Sequence, residues 1–327
     1  MRKFLVIQTA YLGDVILATP IFSELRRIYP EAQIDVVVRK GNEQLISNDP
    51  NIHTIYCWDK TKNKYRSLLQ LRKKIRAQQY NEVINLQRFH SAALLCWSAK
   101  SSSKVGFTKN VFPFIYTKKV EHTMTEGIHE VSRNLLTIAH HNAKKLIRPQ
   151  LFPSSEDFKK VANYKNNKYY CLAPASVWFT KQLPLEKWVE LINELENNHN
   201  VYFLGSPADR ALCEKIISNC KSHHKSLINL AGDLSLMESA ALMKDAVMNF
   251  VNDSGPQHIA SAMNAPVRTF FCSTVSDFGF GPLSDNAKII ETKTKLDCRP
   301  CGLHGKTSCP LGHFKCATTI SIDDALN

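Results

Sequence analysis

Ala246-Val247-Met248-Asn249-Phe250-Val251, the turn Asn252-Asp253-Ser254-Gly255-Pro256-Gln257-His258, the apolar Ile259-Ala260-Ser261-Ala262 and then Val267-Arg268-Thr269-Phe270-Phe271 decide the fold. An apolar run of strand length enters a polar turn. A helix begins near Gln257, and a second β-branched and aromatic run follows. Strand, helix, strand within so short a stretch is the crossover that joins parallel strands. Pro256 suits the first helical turn, where a missing N–H costs nothing. The unpaired N–H groups and positive dipole end of such a helix make an anion site. Asp253, Ser254, Gly255 and His258 are therefore candidate ligand contacts, against the plainer reading of a capped helix with a structural histidine.

The same rhythm extends outward. Toward the amino terminus lie strands at Tyr169–Ala173, Val201–Leu204 and Ile228–Leu230, with helices at Glu186–Asn197, Ala208–Ser218 and Met237–Lys244. Pro149 and Pro153 bracket a break near residue 150. Before it another round reads as strands Phe4–Ile7, Ile34–Val38, Ile52–Cys57 and Glu82–Leu86, with helices Val15–Tyr29, Glu43–Ser47, Ser67–Gln78 and Ala92–Ala99. The 327 residues thus predict two α/β domains, 1–152 and 153–327, each a doubly wound parallel sheet, with a cleft between them. Ligands of such sheets sit at the carboxyl ends of strands. No G-x-G-x-x-G or G-x-x-x-x-G-K-[ST] occurs, which argues against a dinucleotide or P-loop site.

Two further segments fall at strand ends. Leu12-Gly13-Asp14-Val15 places a carboxylate where the first helix begins, as its N-cap or as a general base facing a cleft. Pro174-Ala175-Ser176 and Thr180-Lys181-Gln182 lie in the loop after the strand at Tyr169, so Ser176 and Lys181 share a domain edge with the Asp253 turn. A lysine in such a loop is ordinarily solvated; opposite a helix N-terminus it becomes a phosphate contact.

The formal charge of +13 lies wholly in residues 1–150, where 24 Lys and Arg face 11 Asp and Glu. The densest basic run, Lys60 to Arg76, contains Leu68, Leu71 and Ile75 at helical spacing, with Arg72, Lys73 and Arg76 on the polar side. It reads either as the solvated face of an ordinary helix or as a basic amphipathic helix for an anionic surface. The amino terminus has too short an apolar stretch for a signal peptide. No stretch approaches the roughly 18 apolar residues that span a bilayer. These features predict a cytoplasmic protein resting on a membrane surface.

Six of ten cysteines are scattered, but Cys298, Cys301, Cys309 and Cys316 cluster, with His304 and His313 between them. That spacing suits tetrahedral structural zinc, or else a reduced or partly oxidised loop.

Gly13-Asp14-Val15-Ile16, Asn85-Leu86-Gln87 with Ser91, Lys181 ahead of Pro184-x-x-x-Trp188, and Asp253-Ser254-Gly255-Pro256-x-His258-x-Ala260 together resemble the ADP-heptose:lipopolysaccharide heptosyltransferases, glycosyltransferase family 9. The resemblance covers essentially the whole chain, and the terminal cysteines look most like those of heptosyltransferases II, which add the second heptose. It implies a GT-B fold of two facing Rossmann-like domains, an acceptor domain and a nucleotide-sugar domain, and inverting transfer without a metal cofactor. It places the catalytic base on Asp14 and the diphosphate lysine on Lys181. Donor contacts fall on Ser176, Asp253, Ser254, Gly255 and His258, with Leu234 near the base. The implied partners are ADP-heptose, the anionic lipopolysaccharide core and the cytoplasmic face of the inner membrane. The chain departs from the family at Ser176-Val177, where two threonines are frequent, and at Ser254, where threonine is.

The absence of any Asp-x-Asp agrees with a lysine-and-dipole route to stabilising a departing diphosphate. A GT-B sugar-nucleotide epimerase would use the same fold. A zinc-dependent nucleic-acid-binding protein would use the basic half and the cysteines. Those two features fall in different domains, which argues against nucleic acid.

Overall fold

In a computed structural model the alternation of strands and helices becomes two sheets of six parallel strands each, one per unit, the units being Met1–Phe152 and Pro153–Asn327. The structure describes residues 1–124, 127–221 and 226–327. The first sheet contains β1 (Lys3–Gln8), β2 (Gln33–Arg39), β3 (Thr54–Trp58), β4 (Glu82–Asn85), β5 (Ser103–Phe107) and β6 (Lys118–Val120), in the order β3-β2-β1-β4-β5-β6. Its helices are α1 (Leu12–Ile16), α2 (Thr19–Ile28), α3 (Lys64–Ala77), α4 (His90–Ser98) and α5 (Glu130–Leu136).

The second sheet contains β7 (Tyr169–Ala173), β8 (Asn200–Phe203), β9 (Ser226–Asn229), β10 (Met248–Asn252), β11 (Val267–Phe271) and β12 (Ala287–Glu291), in the order β12-β11-β10-β7-β8-β9. Helices α6 (Ser155–Lys160), α7 (Leu185–Glu194), α8 (Arg210–Asn219), α9 (Leu236–Lys244) and α10 (Gly255–Met263) accompany it, with α11 (Lys315–Thr318) and α12 (Asp323–Leu326) at the end. Counted within its own unit, each order is 3-2-1-4-5-6, the Rossmann arrangement. The chain reverses direction across the sheet between β1 and β4, and again between β7 and β10. Ligand sites of open sheets form at the carboxyl ends of such strand pairs.

The cores follow from which faces are apolar. Leu68, Leu71 and Ile75 of α3 are buried with Leu5, Ile7, Val37 and Trp58 against the first sheet. Each such side chain contributes about 1.5–3 kcal/mol. A like-charge pair four apart, such as Arg72 and Arg76 on the outer face, costs only about 0.2–0.5 kcal/mol. Burial wins, and the helix forms despite its charge. In the second unit Trp188, Leu191 and Ile192 of α7 join Leu172, Phe203, Phe250 and Phe270, and Ala317, Ile320 and Ile322 of the terminal segment pack into the same core. No helix among the described residues is long and apolar enough to cross a membrane.

Three readings of the sequence change. The single helix expected over Val15–Tyr29 is two, broken at Leu17-Ala18. Pro20 has no N–H to return to the Ile16 carbonyl, and its ring would clash there. The Thr19 hydroxyl takes over that carbonyl at 2.8 Å and accepts the Gln150 N–H at 3.0 Å. The helix expected at Glu43–Ser47 is a single 3₁₀ turn, Glu43–Leu45. Strands β5, β6 and β12 and helix α5 were not read from the sequence at all.

Replacing Thr19 by Val keeps the shape but orphans two backbone groups. At about 1–3 kcal/mol for each buried unsatisfied group, urea unfolding of Thr19→Val will show a loss of about 2 kcal/mol or more. A loss below about 0.5 kcal/mol would mean water replaces the hydroxyl.

Candidate active site

At the carboxyl ends of β7 and β10 the second unit assembles the residues singled out there. Asn252, the last residue of β10, ties the two strands' loops together. Its amide donates to the Pro174 carbonyl at 2.7 Å and accepts the Leu183 N–H at 3.0 Å. The next residue, Asp253, is buried, and its Oδ2 meets the Lys181 ammonium at 2.8 Å. Thr274 donates to the same oxygen at 2.6 Å, and Gln257 donates to Oδ1 at 3.0 Å. Asp253 is thus a fixed anchor that orients Lys181. Ser254 is the N-cap of α10 in extended conformation, and no side chain caps that helix end. Gly255 opens the helix and His258 is buried in its first turns. Ser176 is half-buried in the loop after β7, its carbonyl accepting from the Gln182 amide at 2.6 Å. Leu234 is half-buried between β9 and α9. A lysine, an uncapped helix N-terminus and small residues at one sheet edge can bind a polyanion and stabilise charge growing on it.

The first unit places Asp14 at the corresponding edge. It is the third residue of α1 rather than its N-cap, which is Tyr11. Its Oδ2 reaches back to accept the Tyr11 N–H at 3.2 Å. Burial, with the negative charge of Glu130 added, pushes the Asp14 carboxyl up to about 6. Glu130 itself would be raised by burial, but His122 and Arg133 hold it below its ordinary value, with Arg133 Nε at 2.7 Å. It therefore stays ionised beside Asp14. A carboxylate raised toward neutrality is suited to general-base work.

Lys60 belongs to this edge as well. Its ammonium donates to the Thr9 carbonyl at 2.5 Å and lies 4.7 Å from the centre of the Trp58 ring. Burial, then the charges of Arg39 and Lys64, push its pKa down to about 8. An anion would relieve that crowding. The sequence had placed Lys60 only within the basic run; what singles it out is its position just past the end of β3. Of the residues favoured there, Arg72 stacks over Trp97 at 5.8 Å, while Lys73 and Arg76 are exposed. The apolar stripe of α3 is consumed by the core, so the amphipathic reading reduces to an outward basic face.

The cysteine segment lies beside the lysine. Cys298, Cys301, Cys309 and Cys316 line one cavity of ≈ 290 Å³ with Thr180 and His313. Cys298 Sγ is 3.9 Å from His313 Nε2. Backbone N–H groups of residues 311–314 outweigh burial and hold the Cys309 thiol below its ordinary value, whereas burial pushes Cys316 up to about 11. The donors suit zinc, but their ligand atoms are not drawn together as a metal-held set would be: among the described residues, the one group of three gathered within 4.8 Å is elsewhere. The segment also braces Lys181. Thr180 bonds both ways to the Lys306 backbone, at 3.1 and 2.8 Å, and Phe179 stacks on Phe314 at 5.2 Å. Gly305 sits at φ +79°, a conformation that favours glycine, and a Cβ there would press on Lys181 Cγ and Thr180 Oγ1, each at 3.0 Å. Nothing in the residue types alone pointed to this contact.

Comparison with known proteins places the chain in a family and a fold. The model of glycosyltransferase family 9 (heptosyltransferase) matches residues 68–308. Lipopolysaccharide heptosyltransferase 3 of Escherichia coli K12 is 29% identical over 282 residues, 81% of this chain and 80% of that protein. The lipopolysaccharide core heptosyltransferase OpsX of Haemophilus influenzae is 26% identical, over 81% and 78% of the two chains. Among solved structures, a family 9 glycosyl transferase from Veillonella parvula superposes with a TM-score of 0.80 at 20% identity, over 88% and 85% of the two chains. E. coli ADP-heptose lps heptosyltransferase II gives 0.76 at 22% identity, over 91% and 95%. The shared fold is GT-B, with two Rossmann-like domains.

Asp14 is testable without any substrate. Its carboxyl titrates near 3.9 in an unfolded chain and near 6 in the fold, so the folded state holds its proton longer. The stability this lends is full below about pH 4 and is lost as pH rises through 6. Asn at this position keeps an acceptor for Tyr11 and escapes the loss. Asp14→Asn will therefore melt a few degrees higher than the native chain at pH 7.5 and show no such gain at pH 4. A lower melting point at pH 7.5 would make Asp14 a helix-end carboxylate and nothing more.

Proposed function

This chain belongs to glycosyltransferase family 9, the heptosyltransferase family, and from that premise we propose that it transfers heptose from ADP-heptose to the lipopolysaccharide core with inversion at the anomeric carbon. The observation that carries the reading is Lys181, held by Asp253 at the uncapped start of α10. A sugar–diphosphate bond breaks heterolytically, and the charge that accumulates on the leaving diphosphate needs fixed positive partners. Lys181 and the α10 N–H groups take that role, with Ser176, Ser254, Gly255 and His258 along the nucleotide sugar and Leu234 toward the adenine. Asp14 accepts the proton of the acceptor hydroxyl as it attacks the anomeric carbon from the face opposite the diphosphate. The bond to the diphosphate breaks in the same displacement. No metal cofactor enters this scheme.

The first unit takes the acceptor, an anionic glycolipid. Lys60, Arg39 and Lys64 meet its charge near Asp14, and Arg72, Lys73 and Arg76 face the cytoplasmic side of the inner membrane. The epimerase and nucleic-acid readings give way to the family match. The terminal cysteines favour addition of the second heptose, although the relative at 29% identity is named heptosyltransferase 3. Offered acceptors with none, one or two core heptoses, the enzyme is expected to consume the one with a single heptose. Consumption of the two-heptose acceptor would move the assignment. For Cys298, Cys301, Cys309 and Cys316 we favour a reduced or partly oxidised structural loop over structural zinc, since their sulfurs are not gathered as a metal-held set would be. A full equivalent of thiol-bound metal in purified protein would reverse that order.

Lys181→Ala is expected to abolish the stabilisation that ADP gives the native protein in a melting assay, and to lower turnover. UDP should stabilise neither. Asp14→Asn should lower kcat by about 10²–10⁴-fold with ADP affinity unchanged. Native-like turnover in Asp14→Asn, or native-like ADP binding in Lys181→Ala, would remove that residue from the mechanism.

The pH profile is a separate check. Asp14 acts as a base only when ionised, so kcat/KM for the acceptor rises through about pH 6. It falls above about 8 as Lys60 loses its proton. In Lys60→Gln the acceptor KM should rise and the alkaline limb should disappear. An alkaline limb that persists there belongs to another group.

A further inference from the structure

The opposite edge of the first sheet carries a cluster that transfer chemistry does not use. Glu82 is the first residue of β4 and is buried, so it lies at the amino-terminal edge, away from the β1 end that leads to Asp14. The 3₁₀ turn Ala139–His141, which follows α5, brings two histidines onto it. His141 Nε2 is 2.8 Å from Glu82 Oε1, and His140 Nε2 is 3.0 Å from Oε2. The three ligand atoms all lie within 4.8 Å of one another.

We propose that Glu82, His140 and His141 form a divalent transition-metal site of the zinc type, independent of the transferase reaction. Two imidazoles and one carboxylate are a common three-ligand protein set for zinc, with a fourth position left to water. The His140 side chain is partly exposed, so water can reach the cluster. The surroundings supply what a ligating histidine requires. His141 Nδ1 is 3.0 Å from the Tyr29 hydroxyl, which also accepts from Arg2 at 2.8 Å. A partner on the remote nitrogen fixes which nitrogen faces the metal. Phe4 and Tyr29 meet the His141 ring edge-on at 5.8 and 5.4 Å and set its plane.

Ser103 donates to Oε2 of Glu82 at 2.6 Å and orients the carboxylate. One group opposes a cation: Lys118 of β6, with Nζ 3.5 Å from Oε2. Its side chain is half exposed and can swing into water when a metal arrives. A bound metal would pin the turn after α5 to β4, and α5 carries Glu130, whose charge acts on Asp14.

The test uses the full chain, stripped with chelator under reducing conditions and titrated with zinc alone. Zinc content and the zinc-dependent rise in melting point are compared across variants that leave every cysteine in place, so thiol-bound zinc cancels. The native chain should bind one equivalent more than the double variant His140→Gln, His141→Gln. Tyr29→Phe, which keeps the ring and loses only the hydroxyl, should weaken that equivalent by about 10–100-fold. Lys118→Gln should tighten it. Equal zinc content and equal melting shift in the native chain and the double variant would overturn the site. Should the double variant not fold, unchanged zinc affinity in Tyr29→Phe would overturn it equally.

Discussion

Every strand in both sheets runs parallel to its neighbours, and that one constraint decides where chemistry can sit. A parallel strand cannot return through a tight turn; it must cross over, usually by a helix. All strands of a sheet then empty onto the same edge, and helices begin there with their N–H ends pointing toward it. The two strand pairs where the chain changes direction, β1 with β4 and β7 with β10, leave the gaps at that edge. Asp14 follows the first gap, and Lys181 with Asp253 fills the second. Asn252 is the local enforcer. Its one amide satisfies backbone groups on either side of the β7 loop, so the lysine and the start of α10 are held in register.

The two units solve opposite electrostatic problems with this plan. In the second, a buried carboxylate is surrounded by donors from Lys181, Thr274 and Gln257, and the site is ready for negative charge. In the first, Asp14 is met by backbone N–H groups, those of Tyr11 and of Asp14 itself, and is set beside an ionised Glu130. The fold gives up stability to keep that carboxyl raised, which suits the general-base role proposed for it.

How much of this was legible depended on whether local chemistry decided the outcome. The β10–α10–β11 crossover was readable because an apolar run, a Pro-containing helix start and a second apolar run agree with one another. Strands β5 and β6 were not, because Ser103-Lys104 and Lys118-Lys119 look like loop residues; they become strands through pairing with β4 and β5. The break after Ile16 turned on one proline and a hydroxyl two turns from the site. Among the candidate site residues, Asp14, Lys181 and the Asp253 turn carried their own signals of spacing and position. Lys60 looked like one lysine among many, since its neighbours Arg39 and Thr9 are remote in sequence. The pairing of Glu82 with His140 and His141, nearly sixty residues apart, left no trace in the sequence pattern.

The missing side chain at Gly305 has a consequence for how this enzyme can change. Because a Cβ there would press on the stem of Lys181, and Thr180 is bonded to the Lys306 backbone, the cysteine segment and the lysine loop are packed as neighbours. An insertion next to Gly305 or Lys306 would be felt at the lysine. A segment that looks like a peripheral appendage is therefore a poor place for tags, grafts or loop exchange, and a handle by which the far rim of the second unit can be used to tune its centre.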